Sequence, residues 1–428
     1  MISKNTIIFS ICIPRTENRS SNRKLPISTL VKSMIAMKGQ SLNKELYDLF
    51  NKDERMTSSA FVQQRKKLKA EIFLHIMKEL NKSIEHPRTI KGYRLVAIDG
   101  SDFITPHNKE SEWYLPNKVE RKDGQEAKGS CQMHANLAYD ILNKVYFDCV
   151  IGRNERNSAL TMIDRCETPS IFVMDRGYTG YNMIEHCIRS GHFYVIRDLY
   201  RQTIREIEEL PDKDIDTDME IRVSTKSKQF CELYSYKKIQ VRKFKKSEEA
   251  YSKNTKDARW DFEEKCTIKF RTVKFRIDDG SSENPTWEIL VTNIPREMID
   301  IKGMKELYHK RWGIETSIRE LKYPVGAVNF HSLKDDFLVQ ELFAHLVVFN
   351  AVSIAALQIP IIQEGRKYLY AIDFTMCVHI YRWFYRTKAP LDKMYAEMES
   401  YRQPVREGRH DTRRTNVKGL VYFTYRVA

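Results

Sequence analysis

The chain has 428 residues, of which 72 are Lys or Arg and 57 are Asp or Glu, giving a formal net charge of +15. Hydrophobic residues make up 42%, which is ordinary for a globular protein and too many for an intrinsically disordered one. The eight Cys include no C-x-x-C pair, which excludes a small disulfide scaffold and predicts reduced thiols in a cytosol.

The positive charge is concentrated at the two ends of the chain. Residues 1–90 carry 17 Lys or Arg against 8 Asp or Glu, and residues 381–428 carry 11 against 5, whereas the 290 residues between them are neutral. Basic ends around a neutral centre favour a protein that binds a polyanion such as nucleic acid. Solubility or non-specific RNA adhesion would give the same total, so the charge alone does not choose between these functions.

Two apolar stretches are too short or too interrupted for export or membrane insertion. Residues 6–13 are followed by Pro14 without a small-residue cleavage site, which argues against a signal peptide. Residues 346–362 contain Asn350 and Pro360, whereas a bilayer span needs about 20 apolar residues. We therefore expect no membrane partner, and a buried helix in the second stretch.

Residues 1–90 are predicted to form a helical DNA-binding domain. Apolar side chains recur at helical spacing between residues 25 and 86, behind capping residues. Arg65, Lys66 and Lys67 cluster in the middle of this segment, and such a cluster can neutralise phosphates. The alternative for these three residues is the solvated charged face of an ordinary helix.

Short apolar runs dominate residues 91–199 and predict a mixed α/β sheet with helices on its faces. Residues 94–99 and 170–175 have the pattern of buried strands, and residues 133–151 have the pattern of a hairpin. Residues 181–189 have helical spacing. This segment is predicted to be the first part of a core domain.

The pattern changes again beyond this segment. Residues 200–295 alternate period-2 runs with polar loops, which predicts a β-rich insertion into the sheet domain. Residues 296–360 complete the core, with one helix from Asp300 to about Lys322. Residues 361–428 are predicted to form a basic helical region that supports dimerisation or contacts DNA.

Asp99 and Asp175 occupy equivalent places, because each ends an apolar run and shortly precedes a glycine. Ligands gather at the carboxyl ends of strands in open α/β sheets. Two carboxylates brought together there repel each other, and a divalent cation such as Mg²⁺ or Mn²⁺ relieves the repulsion. The alternative is a pair of ordinary strand-end turns, and Asp102 is a second choice of ligand beside Asp99.

Tyr308, Arg311, Glu315 and Lys322 follow the spacing Y-x2-R-x3-E-x6-K. At about 100° per residue, the four side chains fall on one helical face about 60° wide. Glu315 can complete a three-carboxylate metal site, while Arg311 and Lys322 can hold phosphates on either side of it. Tyr308 can donate a hydrogen bond to a phosphate or stack on a base. A salt-bridged exposed helix is the alternative, but it leaves the two aspartates unexplained.

Two further candidates are weaker. Cys131 and His134 have C-x2-H spacing, but no second ligand pair follows at a zinc-site distance, so a structural role is favoured. His309 adjoins Tyr308 but lies about 100° around the helix from the stripe, which argues against a catalytic role.

On these residues the sequence resembles the bacterial insertion-sequence transposases of the DDE class, in the branch with the Tyr-Arg-Glu-Lys signature. The resemblance covers about residues 25–360 and is carried by five short segments, which are residues 59–68, 95–101, 173–178, 290–293 and 308–315. It implies a ribonuclease-H-like catalytic domain in which Asp99, Asp175 and Glu315 form the catalytic triad. It also implies two Mg²⁺ ions at this triad, with Mn²⁺ as a substitute.

The resemblance further implies a transposase that cuts double-stranded DNA at the terminal inverted repeats of its element and joins the ends to target DNA, through a hairpin intermediate. Members of this branch stack a flipped base on a Trp of the insertion, and Trp287 lies where that Trp would be. Core packing is the alternative for Trp287. Joining two ends requires two active sites, which favours a homodimer assembled on DNA, in the bacterial nucleoid of the cytoplasm.

Two rival functions stay open from the sequence. One is a ribonuclease-H-like DNA nuclease without strand transfer, and the other is a catalytically silent, domesticated DNA-binding protein. All three acidic residues are present, which counts against silence. The basic N-terminal segment and the insertion count against a minimal nuclease.

Overall fold

The computed structural model describes residues 25–117, 129–198, 204–239, 264–277, 286–361, 368–387 and 390–405. The apolar stretch at residues 6–13 lies outside these described residues, as do the first 24 residues of the predicted DNA-binding domain. Residues 406–428 of the predicted basic C-terminal region lie outside them as well.

The N-terminal region is helical, as predicted. Its helices are α1 Ile27–Ala36, α2 Leu42–Leu49, α3 Ser58–Arg65 and α4 Glu71–Asn81. Helix α3 begins where the hydroxyl of Thr57 accepts a hydrogen bond from the N–H of Ala60. Phe61 and Phe73 are fully buried and anchor α3 and α4 to the rest of the protein.

The described residues form a ten-stranded mixed sheet at the centre of the fold. In chain order its strands are β1 Arg94–Thr105, β2 Tyr114–Leu115, β3 Ser130–Asp140, β4 Val145–Ile151, β5 Ser170–Met174, β6 Phe193–Asp198, β7 Ile215–Ser224, β8 Lys237–Lys238, β9 Lys265–Arg276 and β10 Trp287–Thr292. The spatial order is β2-β3-β1-β5-β6-β10-β9-β7-β8, and β4 also pairs with β3. Strands β1, β5 and β6 are parallel neighbours, whereas β3 and β10 run antiparallel to them.

Helices cover both faces of the sheet. The remaining helices are α5 Glu155–Asp164, α6 Tyr181–Arg189, α7 Arg205–Glu208, α8 Lys228–Leu233, α9 Ile301–His309, α10 Trp312–Lys322, α11 Asp335–Leu357, α12 Phe374–Thr387 and α13 Leu391–Ser400. Two short strands, β11 Tyr370–Ile372 and β12 Arg402–Pro404, form a separate antiparallel pair. The predicted α/β class, a mixed sheet with flanking helices and a helical N-terminal region, is confirmed.

Alternation along β1 assigns the two faces. Val96 and Ile98 pack with α5 and α6 on one face, whereas Leu95 packs toward α9 and Ala97 toward the N-terminal helices on the other. Within the described residues, α11 is long and apolar enough to cross a membrane by length and composition, and 94% of its apolar window is buried inside the protein. It packs there against α4, β4 and α12.

The segment 200–295 is β-rich, as predicted, but its strands extend the central sheet. Strand β10 pairs with β6, β9 pairs with β10, and β7 pairs with β9. The N-terminal helices likewise share one hydrophobic cluster with β3 and α11. The domain boundaries given above stay a prediction.

Candidate active site

The two aspartates lie side by side at one edge of the parallel strands. The parallel register of β1 and β5 runs to the pair Ile98 and Met174, so Asp99 and Asp175 come directly after the last matched pair. Strand β1 does not end at Asp99, in contrast to the expectation, because its antiparallel pairing with β3 continues to Thr105. Only the parallel pairing of β1 with β5 ends at this point.

The carboxyl group of Asp99 is held in a crowded, electronegative position. Its Oδ1 accepts a hydrogen bond of 2.9 Å from the N–H of Gly100. Burial and the neighbouring charge of Asp175 raise the pKa of Asp99 to about 6. The Oδ1 of Asp175 accepts a hydrogen bond of 2.8 Å from the N–H of Gly177 and so caps a short 3₁₀ helix. Both side chains are thus fixed by backbone donors.

The signature segment is not one continuous helix. Helix α9 ends at His309 and α10 begins at Trp312, so the prediction of one helix from Asp300 to Lys322 is wrong at this point. The N–H of Arg311 donates to the carbonyl of Tyr308 at 2.9 Å, which is the tighter hydrogen bonding of a 3₁₀ turn. Arg311 keeps helical angles of φ −51° and ψ −34°, so the direction of the chain is preserved.

Arg311 connects the carboxylate of Glu315 to that of Asp99. Its Nη2 lies 2.9 Å from Oε1 of Glu315, and its Nη1 lies 3.8 Å from Oδ2 of Asp99. The Arg311 side chain is 9% exposed, whereas Trp312, the next residue, is 45% exposed. Glu315 therefore approaches the two aspartates from the second half of the signature segment.

Lys322 contacts the strand that follows Asp99. Its ammonium donates to Oγ of Ser101 at 2.8 Å and to the carbonyl oxygen of Asp102 at 2.7 Å. The side chain also lies over the ring of Phe103, 4.9 Å from its centroid. Its predicted contact with a phosphate stays a prediction.

Tyr308 is buried rather than displayed. Its side chain belongs to the cluster packed under α9, it is 4% exposed, and burial raises its pKa to about 12. Its hydroxyl has no hydrogen-bond partner among the described residues. Nearby, Nε of Arg197 lies 3.2 Å from Oε1 of Glu288. The ring and the hydroxyl of Tyr308 are both buried, so neither the predicted stacking on a base nor the predicted contact with a phosphate is available in this structure.

The chemistry of the donor set fits a divalent cation. Carboxylate oxygens are the ligands that Mg²⁺ and Mn²⁺ prefer, and both burial and the neighbouring carboxylate of Asp175 raise the pKa of Asp99. Within the described residues, no group of three His, Cys, Asp or Glu side chains is already arranged to hold a metal ion. The guanidinium of Arg311 lies between Asp99 and Glu315 and offsets part of their negative charge.

The structure differs from the expected basic cluster at Arg65. This side chain is 2% exposed and donates to the side chains of Gln340 and Glu341, each at 2.8 Å. The interpretation of Arg65 as an exposed DNA contact is therefore corrected, because its charge is neutralised inside the protein. Lys66 and Lys67 are exposed beside it, and their role in DNA binding stays a prediction.

Trp287 is the first residue of β10 and is not brought to the carboxylates. Alternation places it on the face of β10 opposite to Glu288, the residue that lies near Tyr308. The ammonium of Lys274 lies 5.1 Å from the centroid of its ring. Its role in stacking a flipped base stays a prediction.

A group beside Asp99 was not predicted from the sequence. Nδ1 of His134 lies 2.8 Å from Oδ1 of Asp102, and its Nε2 lies 3.2 Å from Oε1 of Glu155. Cys131 does not share this site, because its Sγ accepts from the N–H of Asn108 at 3.3 Å. The available signal was the proximity of Asp102 to Asp99, since Glu155 and His134 are brought there only by the fold.

Comparison with known proteins completes this picture. A search of curated proteins gives no match. Among solved structures, the chain is similar to the piggyBac transposase in a synaptic complex with hairpin DNA, with a TM-score of 0.41 and 9% identity, over 93% of this chain and 80% of that chain. The profile of the family described as Transposase DDE domain matches residues 90–351, which is more than half of the chain and includes all three acidic residues. The chain belongs to the DDE transposase family.

Proposed function

We propose that this protein is a transposase that cuts DNA at the ends of its own element and joins those ends to target DNA. The observation that carries the proposal is twofold: Asp99 and Asp175 directly follow the last matched pair of β1 and β5 and their charges interact, and Arg311 connects Asp99 to Glu315. A structural role does not call for three carboxylates at one open edge of a sheet, whereas phosphodiester chemistry does.

Asp99, Asp175 and Glu315 would hold the divalent cations, with two Mg²⁺ ions per site and Mn²⁺ as a substitute. Such cations, when bound, supply activation of the attacking hydroxyl and stabilisation of the leaving oxygen. The Gly100 and Gly177 N–H groups keep the two aspartates oriented, so little reorganisation is needed when DNA arrives.

Arg311 and Lys322 would hold the DNA backbone at the site. In the protein alone, the guanidinium of Arg311 is occupied by Glu315 and Asp99. Once positive charge is supplied to these carboxylates, Arg311 can turn its planar fork to a phosphate. Lys322 lies beside the same edge and offers a point charge.

The substrate of this reaction would be double-stranded DNA, namely the terminal repeats and a target. After the first cut, the freed 3′-hydroxyl can attack the opposite strand within the same site, which gives the hairpin route to excision. Joining two ends requires two active sites, and this supports a homodimer assembled on DNA. We place this activity in the bacterial nucleoid.

The test uses a supercoiled plasmid carrying the terminal repeats of the element, a second plasmid as target, and Mg²⁺. Wild-type protein should cut at the repeats and join the released ends to the target, and EDTA should abolish both reactions. Asp175→Asn should bind the repeats as wild type does and cut nothing, because it retains shape but loses a ligand charge.

Two outcomes would contradict the proposal in different ways. Cleavage without joining would support a nuclease. Specific binding of the repeats by both proteins with no cutting by either would support a silent DNA-binding protein.

A further inference from the structure

The strand segment that follows Asp99 is held on one side only. Strand β1 pairs with β5 as far as Ile98, and beyond that point its described sheet pairing is with β3 alone. Residues 99–105 therefore lack the second row of ladder hydrogen bonds that fixes a strand inside a sheet. This is the part of β1 that carries the acidic residue of the site.

Three contacts of the proposed machinery depend on residues 100–102. The N–H of Gly100 orients the carboxylate of Asp99. The hydroxyl of Ser101 and the carbonyl oxygen of Asp102 each accept a hydrogen bond from the Lys322 ammonium. A shift of this short segment would therefore move Asp99 and Lys322 together.

The other face of the same segment is supported by a histidine between two carboxylates. His134 lies opposite Asp102 in the β1–β3 register and contacts its Oδ1 at 2.8 Å. On its other side the ring lies 3.2 Å from Glu155, a residue in the first turn of α5. The contacts of His134 with Asp102 and Glu155 thus connect β1 and β3 to α5, beyond the point where β1 stops pairing with β5.

Gly100 shows how closely this pair packs on the backbone. A Cβ added at Gly100 would lie 2.7 Å from Oε1 of Glu155 and 2.7 Å from Nε2 of His134. Contacts this short are not tolerated, so a side chain at this position would displace the pair. The glycine thus lets the His134–Glu155 contact rest directly on the peptide next to Asp99.

We propose that His134, held by Asp102 and Glu155 and seated on Gly100, is a positioning residue for strand cleavage. It fixes the segment after Asp99, and through that segment it sets the Asp99 carboxylate and the acceptors of Lys322. The inference rests on the proposed cleavage function. Cleavage would then depend on a residue that belongs neither to the three carboxylates nor to the Tyr-Arg-Glu-Lys signature.

The test measures single-turnover cleavage at saturating protein, and separately the affinity for a duplex carrying one element end. His134→Ala and Glu155→Ala should lower the cleavage rate by about 10²-fold, which is the usual cost of a displacement near 1 Å. Their affinity for the end should equal that of wild type. Gly100→Ala should give the same defect, because the added Cβ displaces His134 and Glu155 without removing either side chain. This variant keeps the test valid if His134→Ala fails to fold.

A conservative variant separates positioning from bulk stability. Glu155→Gln keeps an oxygen in the position that contacts Nε2 of His134, so it should cleave much faster than Glu155→Ala. His186→Ala is the matched control, because Nε2 of His186 lies 3.0 Å from Oδ1 of Asp164 in a comparable pair between α6 and α5. It should lower the melting temperature and leave the cleavage rate unchanged.

Cleavage by His134→Ala at the wild-type rate would overturn the inference. So would equal rates for Glu155→Gln and Glu155→Ala, or a cleavage defect that His186→Ala shares. If wild type itself does not cut, the proposed function fails. If wild type cuts and these variants cut equally well, only the positioning role fails.

Discussion

At the scale of single residues, Arg65 illustrates how a charge becomes part of the core. Its guanidinium donates to Gln340, Glu341 and the carbonyl of Phe337, and it lies 4.6 Å from the centroid of the Phe337 ring. Every acceptor belongs to α11. A buried ion pair of this kind adds little to the free energy of unfolding relative to an apolar pair. The loss of one partner, however, leaves the other charge buried and uncompensated.

Arg65→Ala is therefore expected to lower the free energy of unfolding by about 3–5 kcal/mol. Urea unfolding followed by circular dichroism checks this value. Lys66→Ala is the control, since its side chain is exposed and its removal should change the stability by less than about 0.5 kcal/mol. Equal stability of the two variants would show that the Arg65 contacts carry no energy.

Lys66 and Lys67 are expected to act on DNA rather than on stability. Neutralising both as Lys66→Gln and Lys67→Gln should weaken binding and reduce the slope of log affinity against log salt by about 0.9 for each phosphate that the variant no longer neutralises. A salt titration of binding to one duplex measures the slope. A slope unchanged from wild type would assign both side chains to a solvated surface.

The residue types of the candidate site were predictable because their chemistry and spacing are local. Asp99 and Asp175 end apolar runs, and Glu315 follows Arg311 at helical spacing. These patterns are enough to predict that the three carboxylates belong to one site. The burial of Arg65 was not predictable, because its three acceptors and its ring contact lie about 270 residues away in the chain. Tyr308 was misjudged for the same reason, since the cluster that buries it is assembled by the sheet.

At the scale of elements, a buried charged network connects the N-terminal helices to the C-terminal ones. Nδ1 of His331 lies 3.3 Å from Glu341, and its Nε2 lies 3.9 Å from Glu45 of α2. Arg386 of α12 contacts Glu45 at 2.9 Å. The network therefore connects α2, α11 and α12 through buried charges.

The network shifts the pKa values of its members in opposite directions. Burial opposes the charge of His331, but the carboxylates of Glu341 and Glu45 raise its pKa to about 9. Burial also opposes the charges of the two glutamates. Nevertheless His331 and Arg386 lower the pKa of Glu45 to about 2, and Arg65 and His331 lower that of Glu341 to about 2.

We expect the stability contributed by this network to be greatest between about pH 4.5 and pH 6.5. His331 has a raised pKa, so its contribution is complete below its unfolded value and is lost as the pH rises toward 9. The glutamates have lowered pKa values, so their contribution is lost as the pH falls from their unfolded value toward 2. Melting temperatures measured from about pH 2 to about pH 9, for wild type and for His331→Gln, test the expectation. The alkaline decline should be weaker in His331→Gln, and an identical decline would contradict it.

Element types were largely predictable, and element ends were not. The predicted helix at residues 181–189 is α6, because its apolar spacing and glycine boundary are local. The break between α9 and α10 has no such local signal. Lys310 and Arg311 both keep helical angles there, so the backbone departs only slightly from a continuous helix. The continuation of β1 past Asp99 depends on the partner β3, which lies about 35 residues further along the chain.

At the scale of the whole molecule, the charge distribution matches the position of the site. The neutral centre of the chain holds the three carboxylates, and Arg311 lies beside two of them, Asp99 and Glu315. The N-terminal helices share a core with the sheet, so the exposed Lys66 and Lys67 have a fixed relation to the sheet edge at which Asp99 and Asp175 lie. We expect DNA to be held by such basic surfaces on either side of the cut.

The central claim is that Asp99, Asp175 and Glu315 act as one site, and single-turnover cleavage of a duplex with one element end tests it most directly. Because ion-mediated stabilisation of the transition state contributes several kcal/mol, Asp99→Asn, Asp175→Asn and Glu315→Gln should each lower the rate by about 10³-fold or more. Asp164→Asn, on α5 and paired with His186, should cleave as wild type does. If any one of the three variants bound the end and cut it at the wild-type rate, the three-carboxylate site would be contradicted.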